Sequence, residues 1–130
     1  MTIAIPPESP RLQPTGWLRY FSFSVDHKVI GLQYLVCGFA FYLVGGALAG
    51  AIRTELASPV SDFMARDVYN QVLTLHGTVM IFLWIVPVVN GAFGNYLIPF
   101  YVGARDMAFP RLNAVAFWLI PPAGLMLITS

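Results

Sequence analysis

The chain has 130 residues, 58% hydrophobic and 10% charged, with a mean hydropathy of +0.71. Soluble domains carry about 25% charged residues, so the composition excludes an ordinary water-soluble globule and indicates an integral membrane protein. The formal net charge of +1, with no cluster of Lys and Arg, excludes a nucleic-acid partner, because a phosphate-binding face needs one.

Up to Lys28 the chain holds Pro6, Pro7, Pro10 and Pro14 among polar residues and lacks the early apolar core of a cleavable signal. Residues 1–28 therefore read as an arm outside the bilayer, and residues 29–130 as a membrane domain. From Val29 to Ile52 no residue is charged, which predicts a first spanning helix over about 29–52, since some 20 apolar residues cross a bilayer. Gly46 and Gly50 form a Gly-xxx-Gly pair within it, which admits a second helix or a flat ligand; helix packing is the simpler use. Cys37 stands alone, which excludes a disulfide framework or a thiolate metal motif, and reads as a small buried hydrophobe. Residues 53–70 turn polar and read as a loop.

The second span, about 71–99, lies in YNQVLTLHGTVMIFLWIVPVVNGAFGNYLIP, with a kink expected at Pro87, which lacks a backbone donor. FYVGARDMAFPR then connects to a third apolar run, about 112–130, interrupted by Pro121 and Pro122. That run meets the end of the sequence without a polar flank, as expected of a fragment. The fold class is all-α, an integral membrane helical bundle with three transmembrane helices.

Lys and Arg favour the cytoplasmic side of short loops. Arg11, Arg19 and Lys28 in the arm lie on the same side as Arg105 and Arg111, whereas Arg53 and Arg66 are outnumbered in their loop by Glu55, Asp62 and Asp67. This puts the N-terminus in the cytoplasm, Arg53 and His76 near the outer face, and Asp106 at the inner face.

His76 is the only ionisable side chain of its acid–base range within the second span, between Asp67 and Arg105. An imidazole in a hydrocarbon-length helix marks a site facing protein, cofactor or water. Read from the residues alone, it is either a ligand of a metal or haem iron or a histidine hydrogen-bonded to a neighbouring helix; Thr74 and Thr78 flank it, and Gly77 beside it removes a side chain that would obstruct a flat macrocycle. Arg53 alone reads as an interfacial anchor, Glu55 as a solvated carboxylate, and Asp106 as a turn residue paired with Arg105 or Arg111.

Taken together, DHKVIGLQYL at Asp26 to Leu35, RTEL at Arg53 to Leu56, YN with TLHGTVMIF at Tyr69 to Phe82, and FGNYLIP followed by VGARDMAFPRLN and FWLIPP resemble subunit I of the haem-copper oxidases. The likeness runs from about Asp26 to the end; the arm before it carries no motif we can name. That family's subunit has twelve spanning helices, so the resemblance implies that this chain holds its first three. It is most similar to cytochrome c oxidases with a-type haems, of bacterial or cyanobacterial kind, in an inner or thylakoid membrane.

Residue by residue, the resemblance implies that His76 is an axial ligand of the iron of the low-spin haem (haem a) and that Arg53 hydrogen-bonds the haem formyl group. It implies that Glu55 binds a calcium or sodium ion, that Asp106 stands at the mouth of a proton-uptake channel, and that Asn95 and Asn113 line it. The high-spin haem and the copper would be held by residues outside this chain, so no catalytic residue is expected in it. The implied activity is a proton-pumping oxidoreductase of the respiratory chain, passing electrons from reduced cytochrome c or a similar soluble donor to oxygen. Partners would be the rest of subunit I, subunits II and III and the lipid bilayer; the fragment alone would be inactive.

Gly77, Arg105 and Gln71 also suit the quinol-oxidising branch of that family. The Arg and Asp that branch needs in its first span would fall at Val44 and Leu48, however, and its histidine at Val68. Apolar side chains there leave a quinone carbonyl without donors, which favours the soluble donor. A quinol oxidase and a non-catalytic membrane fragment are the alternative readings.

Overall fold

The computed structural model describes residues 16–57, 59 and 63–129, apart from the side chains of residues 18 and 19. The arm up to residue 15, loop residues 58 and 60–62, and Ser130 lie outside the described residues. A single 3-10 turn, Trp17–Phe21, precedes three long helices: α1, His27–Glu55; α2, Arg66–Val102; and α3, Pro110–Thr129. All three are long and apolar enough to cross a membrane, and the described residues contain no strand. The chain is a helical membrane bundle.

Each helix boundary has a local cause. Asp26 caps α1: its carboxylate accepts from the Lys28 N–H at 2.9 Å, satisfying one of the donors that a helix start leaves free. Arg53 occupies the last turn of α1, where the helix dipole favours a cation. At the end of α2, Gly103 adopts φ 69, ψ 20, a left-handed conformation that suits glycine. Its N–H reaches the Phe100 carbonyl and the Ala104 N–H reaches the Pro99 carbonyl, closing a Schellman motif that turns the chain toward α3. Pro110 starts α3 at a position where its missing N–H costs nothing.

Prolines inside the spans are absorbed without ending them. Around Pro87, α2 widens into two π-helical stretches, Val79–Ile85 and Pro87–Phe93. Widening is one way to relieve the clash between a proline ring and the carbonyl of the preceding turn. The third apolar run, which holds Pro121 and Pro122, forms one helix that continues through both as far as Thr129. Adjacent helix turns keep the remaining hydrogen bonds of a membrane helix, because breaking off in hydrocarbon would strand many more backbone groups.

The bundle is organised by α1, which packs on both other helices. Its seam with α2 is a glycine repeat of seven residues, Gly31, Gly38 and Gly45. A methyl group at these positions would lie 2.8 Å from the Tyr96 ring, 2.7 Å from Val88 Cγ2 and 2.5 Å from Met80 Sδ, respectively. Bare backbone is therefore what lets the helices approach, as expected where packing rather than water exclusion drives association. Gly46 and Gly50 are different: a methyl group at either would meet nothing within 4 Å. The Gly-xxx-Gly pair singled out in the sequence is thus not used for helix packing among the described residues, because it lies about a third of a turn from the seam.

On the other flank of α1, Phe41 sits over Gly124, and Tyr34 meets Phe117 edge-on at 5.2 Å. Ile30, Tyr34, Ala92, Ala114 and Phe117 form the buried core, with Cys37 packed against it. Gln33 is also buried, and its Nε2 donates to the Tyr20 and Ser22 carbonyls at 2.9 and 3.0 Å, fastening the 3-10 turn to α1. Large apolar side chains such as Phe82, Leu119 and Leu125 point outward, as suits a surface that meets lipid or further helices.

Candidate functional site

The antiparallel packing of α1 and α2 divides the polar side chains between two ends of the bundle. The end of α1 and the start of α2 bring Arg53, Glu55 and His76 to one end. The start of α1, the α2–α3 connection and the first turn of α3 bring His27, Asp106 and Asn113 to the other.

His76 is half-buried on α2, and its Nδ1 lies 2.9 Å from the carbonyl oxygen of Gly45 on α1. A carbonyl only accepts, so the bond assigns the hydrogen to Nδ1 and leaves the Nε2 lone pair available. This is the arrangement that orients an imidazole as a metal ligand. Thr74 and Thr78 take no part in it: each hydroxyl donates to the carbonyl four residues earlier in its own helix, at 2.8 Å. A methyl group at Gly77, like one at Gly46 or Gly50, would meet nothing within 4 Å. The residues present therefore fit a flat macrocycle: a tautomer-fixed nitrogen donor, with glycine positions nearby that carry no obstructing side chain.

Arg53 is exposed, eight residues beyond Gly45 on α1, or about 12 Å along the axis. None of the described residues engages its guanidinium. Glu55 is half-buried, and its Oε2 accepts from the Met64 N–H at 2.9 Å. It borders a cleft of about 350 Å³ shared with Leu56, Met64, Arg66, Tyr69 and Asn70. Among the described residues no three His, Cys, Asp or Glu side chains converge in a metal-binding group. The two histidines of the sequence stand at opposite ends of the bundle.

At that opposite end, Asp106 does not pair with Arg105 or Arg111. Its Oδ1 lies 3.1 Å from Nδ1 of His27 and also accepts from the Met107 N–H at 2.8 Å. The His27 side chain is 11% exposed and that of Asp106 46%, so a largely buried imidazole backs a carboxylate that reaches water. Nearby, Asn95 on α2 and Asn113 on α3 are joined amide to amide: Asn113 Nδ2 donates to Asn95 Oδ1, and Asn95 Nδ2 faces Asn113 Oδ1 at 3.4 Å. Asn95 also donates to the Gly91 carbonyl and is only 2% exposed. The two amides, Asn95 buried and Asn113 half-buried, are thus a polar link between α2 and α3.

Sequence reasoning missed His27 and Gly45. His27 follows the cap residue Asp26 and falls, by topology, on the Asp106 side; that was the available signal. No sequence signal marks a particular backbone carbonyl such as that of Gly45.

Residues 29–130 match the family described as "Cytochrome C and Quinol oxidase polypeptide I". The chain is 62% identical over 124 residues to "Cytochrome c oxidase subunit 1" of Thermostichus vulcanus, covering 95% of this chain and 22% of that protein. It is 60% identical over 130 residues to the protein of the same name from Synechocystis sp., covering 100% and 23%, so this likeness extends through the arm. "Heme-copper oxidase subunit I+III" of Aeropyrum pernix is 44% identical over 115 residues, covering 88% and 14%. The chain spans less than a quarter of the length of these relatives. With three helices apolar enough to cross a membrane and a family match over residues 29–130, the chain belongs to the haem-copper oxidase subunit I family.

Proposed function

We propose that this chain is the part of a terminal oxidase subunit I that holds the low-spin haem, haem a, through His76 and admits protons at Asp106. The whole subunit, with subunits II and III, then passes electrons from reduced cytochrome c or a similar soluble donor to oxygen, forms water and pumps protons. It works in a bacterial inner or thylakoid membrane with the arm in the cytoplasm. The observation that carries this reading is the bond from His76 Nδ1 to Gly45 O, which leaves Nε2 as the ligand atom.

When bound, the haem would supply one-electron transfer, and His76 Nε2 would be the ligand this chain offers to its iron. Gly45 fixes the ring plane and tautomer of His76, so the ligand does not have to be ordered when the cofactor enters. Arg53 would hydrogen-bond the haem formyl group and lend it a fixed positive charge, which would favour the added electron. Glu55 offers carboxylate oxygen to a calcium or sodium ion in the cleft it shares with Tyr69 and Asn70; carbonyls and water would complete the six to eight oxygens that calcium takes.

Asp106 collects protons at the surface, and His27 holds its carboxylate in place. Asn95 and Asn113 would offer amide donors and acceptors to water above it, in a largely apolar interior. The high-spin haem and copper belong to parts of the subunit outside this chain. Replacing His76 with Ala in the whole oxidase is expected to remove the low-spin haem absorption while the protein still assembles. An unchanged low-spin band would overturn the reading.

A further inference from the structure

A cavity of about 930 Å³ lies between the Trp17–Phe21 turn, α1 and α3, and neither His76 nor Asp106 lines it. Dedicated ligand pockets have about 300–1,000 Å³, so it has the size of a binding site. Apart from Gln33 its lining is glycine, apolar or aromatic, with Val36 and Ala40 from α1 and Trp118 and Pro121 from α3.

Gln33 is the exception, and it lacks a partner. The residue is 6% exposed; Nε2 is spent on the Tyr20 and Ser22 carbonyls, and Oε1 is buried with no hydrogen-bond partner among the described residues. A buried amide oxygen left unpaired is costly, so the site calls for a donor.

The polar and apolar parts of the cavity are ordered by depth. Gln33 stands six residues after the start of α1, about 9 Å along the axis, and Ala40 thirteen residues after it, about 20 Å. The headgroup region of a leaflet is about 5–8 Å deep, so Gln33 falls near the boundary between headgroups and hydrocarbon and Ala40 within the hydrocarbon. A lipid of the leaflet at the start of α1 has the same order, polar end first and chain beyond. The turn forms the wall at the Gln33 end, so a helix crossing the whole membrane has no straight path through the cavity. Val36 remains 55% and Trp118 39% exposed, which leaves a side entrance between α1 and α3 that a hydrocarbon chain fits.

We propose that this cavity binds a membrane glycerophospholipid, with an acyl chain lying along Ala40 and Trp118 and a headgroup N–H or O–H donating to Gln33 Oε1. The apolar lining suits the chain. The amide oxygen selects headgroups that carry a donor, such as ethanolamine, over choline, which has none. The site is separate from the haem and proton readings and does not rest on His76.

The test uses the whole oxidase in bilayers of equal parts phosphatidylethanolamine and phosphatidylcholine, two lipids of the same net charge that differ in headgroup donors. After detergent extraction and washing, native mass spectrometry counts the lipids retained. Ala40→Trp and Val36→Trp each fill the cavity from α1. Both are expected to lose a lipid that the wild type retains, with the low-spin haem band and oxygen consumption unchanged. In the lipid lost between wild type and variants, phosphatidylethanolamine is expected to exceed phosphatidylcholine by about fivefold, the size of one hydrogen bond. Retention of the same lipids by the wild type and both variants overturns the site, as when another helix or water fills it. Equal amounts of the two lipids at the site overturn the assignment of Gln33 as the headgroup partner.

Discussion

His27 Nδ1 and Asp106 Oδ1, 79 residues apart in sequence, lie 3.1 Å apart where the start of α1 meets the α2–α3 connection. The contact fixes the carboxylate that the residues alone pair with Arg105 or Arg111, and fastens the connection to α1. Asp106→Asn should spare haem content and slow proton-coupled turnover, measured as oxygen consumption and proton uptake by oxidase in vesicles. His27→Ala should do the same to a smaller degree, with a stability loss of about 1 kcal/mol, since water screens a half-exposed pair. Wild-type uptake in both variants would remove Asp106 from the proton path.

Asn95 and Asn113 satisfy one another, so removing either strands the other. Leu at one position should cost about 1–3 kcal/mol, and Leu at both should cost less than the sum of the single changes. Thermal denaturation of the assembled oxidase across the four proteins of this cycle measures the coupling. Simple additivity would mean that the amides are not paired.

The glycines of α1 divide into two classes. Gly38→Ala places a methyl group 2.7 Å from Val88 and should destabilise the bundle by about 1–3 kcal/mol through overpacking. Gly46→Leu meets open space and should leave the melting temperature of the haem-free protein near wild type while lowering haem content. Haem quantification beside thermal melting separates the two effects, and equal loss of stability in both variants would contradict the division.

Gln33→Leu removes two hydrogen bonds that hold the Trp17–Phe21 turn to α1. Amide exchange should rise in the turn and stay unchanged in the middle of α1. Unaltered exchange at the turn would show that its aromatic side chains, rather than Gln33, fasten it.

Hydropathy made the three spans legible because a bilayer demands a length of apolar residues that few other structures need. His76 stood out for the same reason: a lone ionisable group is conspicuous against hydrocarbon. What stayed hidden depends on rotation about the helix axes. Gly31, Gly38 and Gly45 differ from Gly46 and Gly50 only in the direction they face, which composition does not reveal. The pairing of His27 with Asp106 needed the fold to bring the two segments together. Pro121 and Pro122 lie inside the third span without ending it, because the preference that ends helices in water is outweighed where unpaired backbone has no water to meet.

The central claim is that His76 supplies Nε2 to a haem iron. The most direct measurement replaces His76 with Gly in the whole oxidase and records the low-spin haem spectrum before and after adding free imidazole. The account predicts that the band is lost in the variant and returns with imidazole, which fills the vacated ligand position. A low-spin band that persists without imidazole would contradict it.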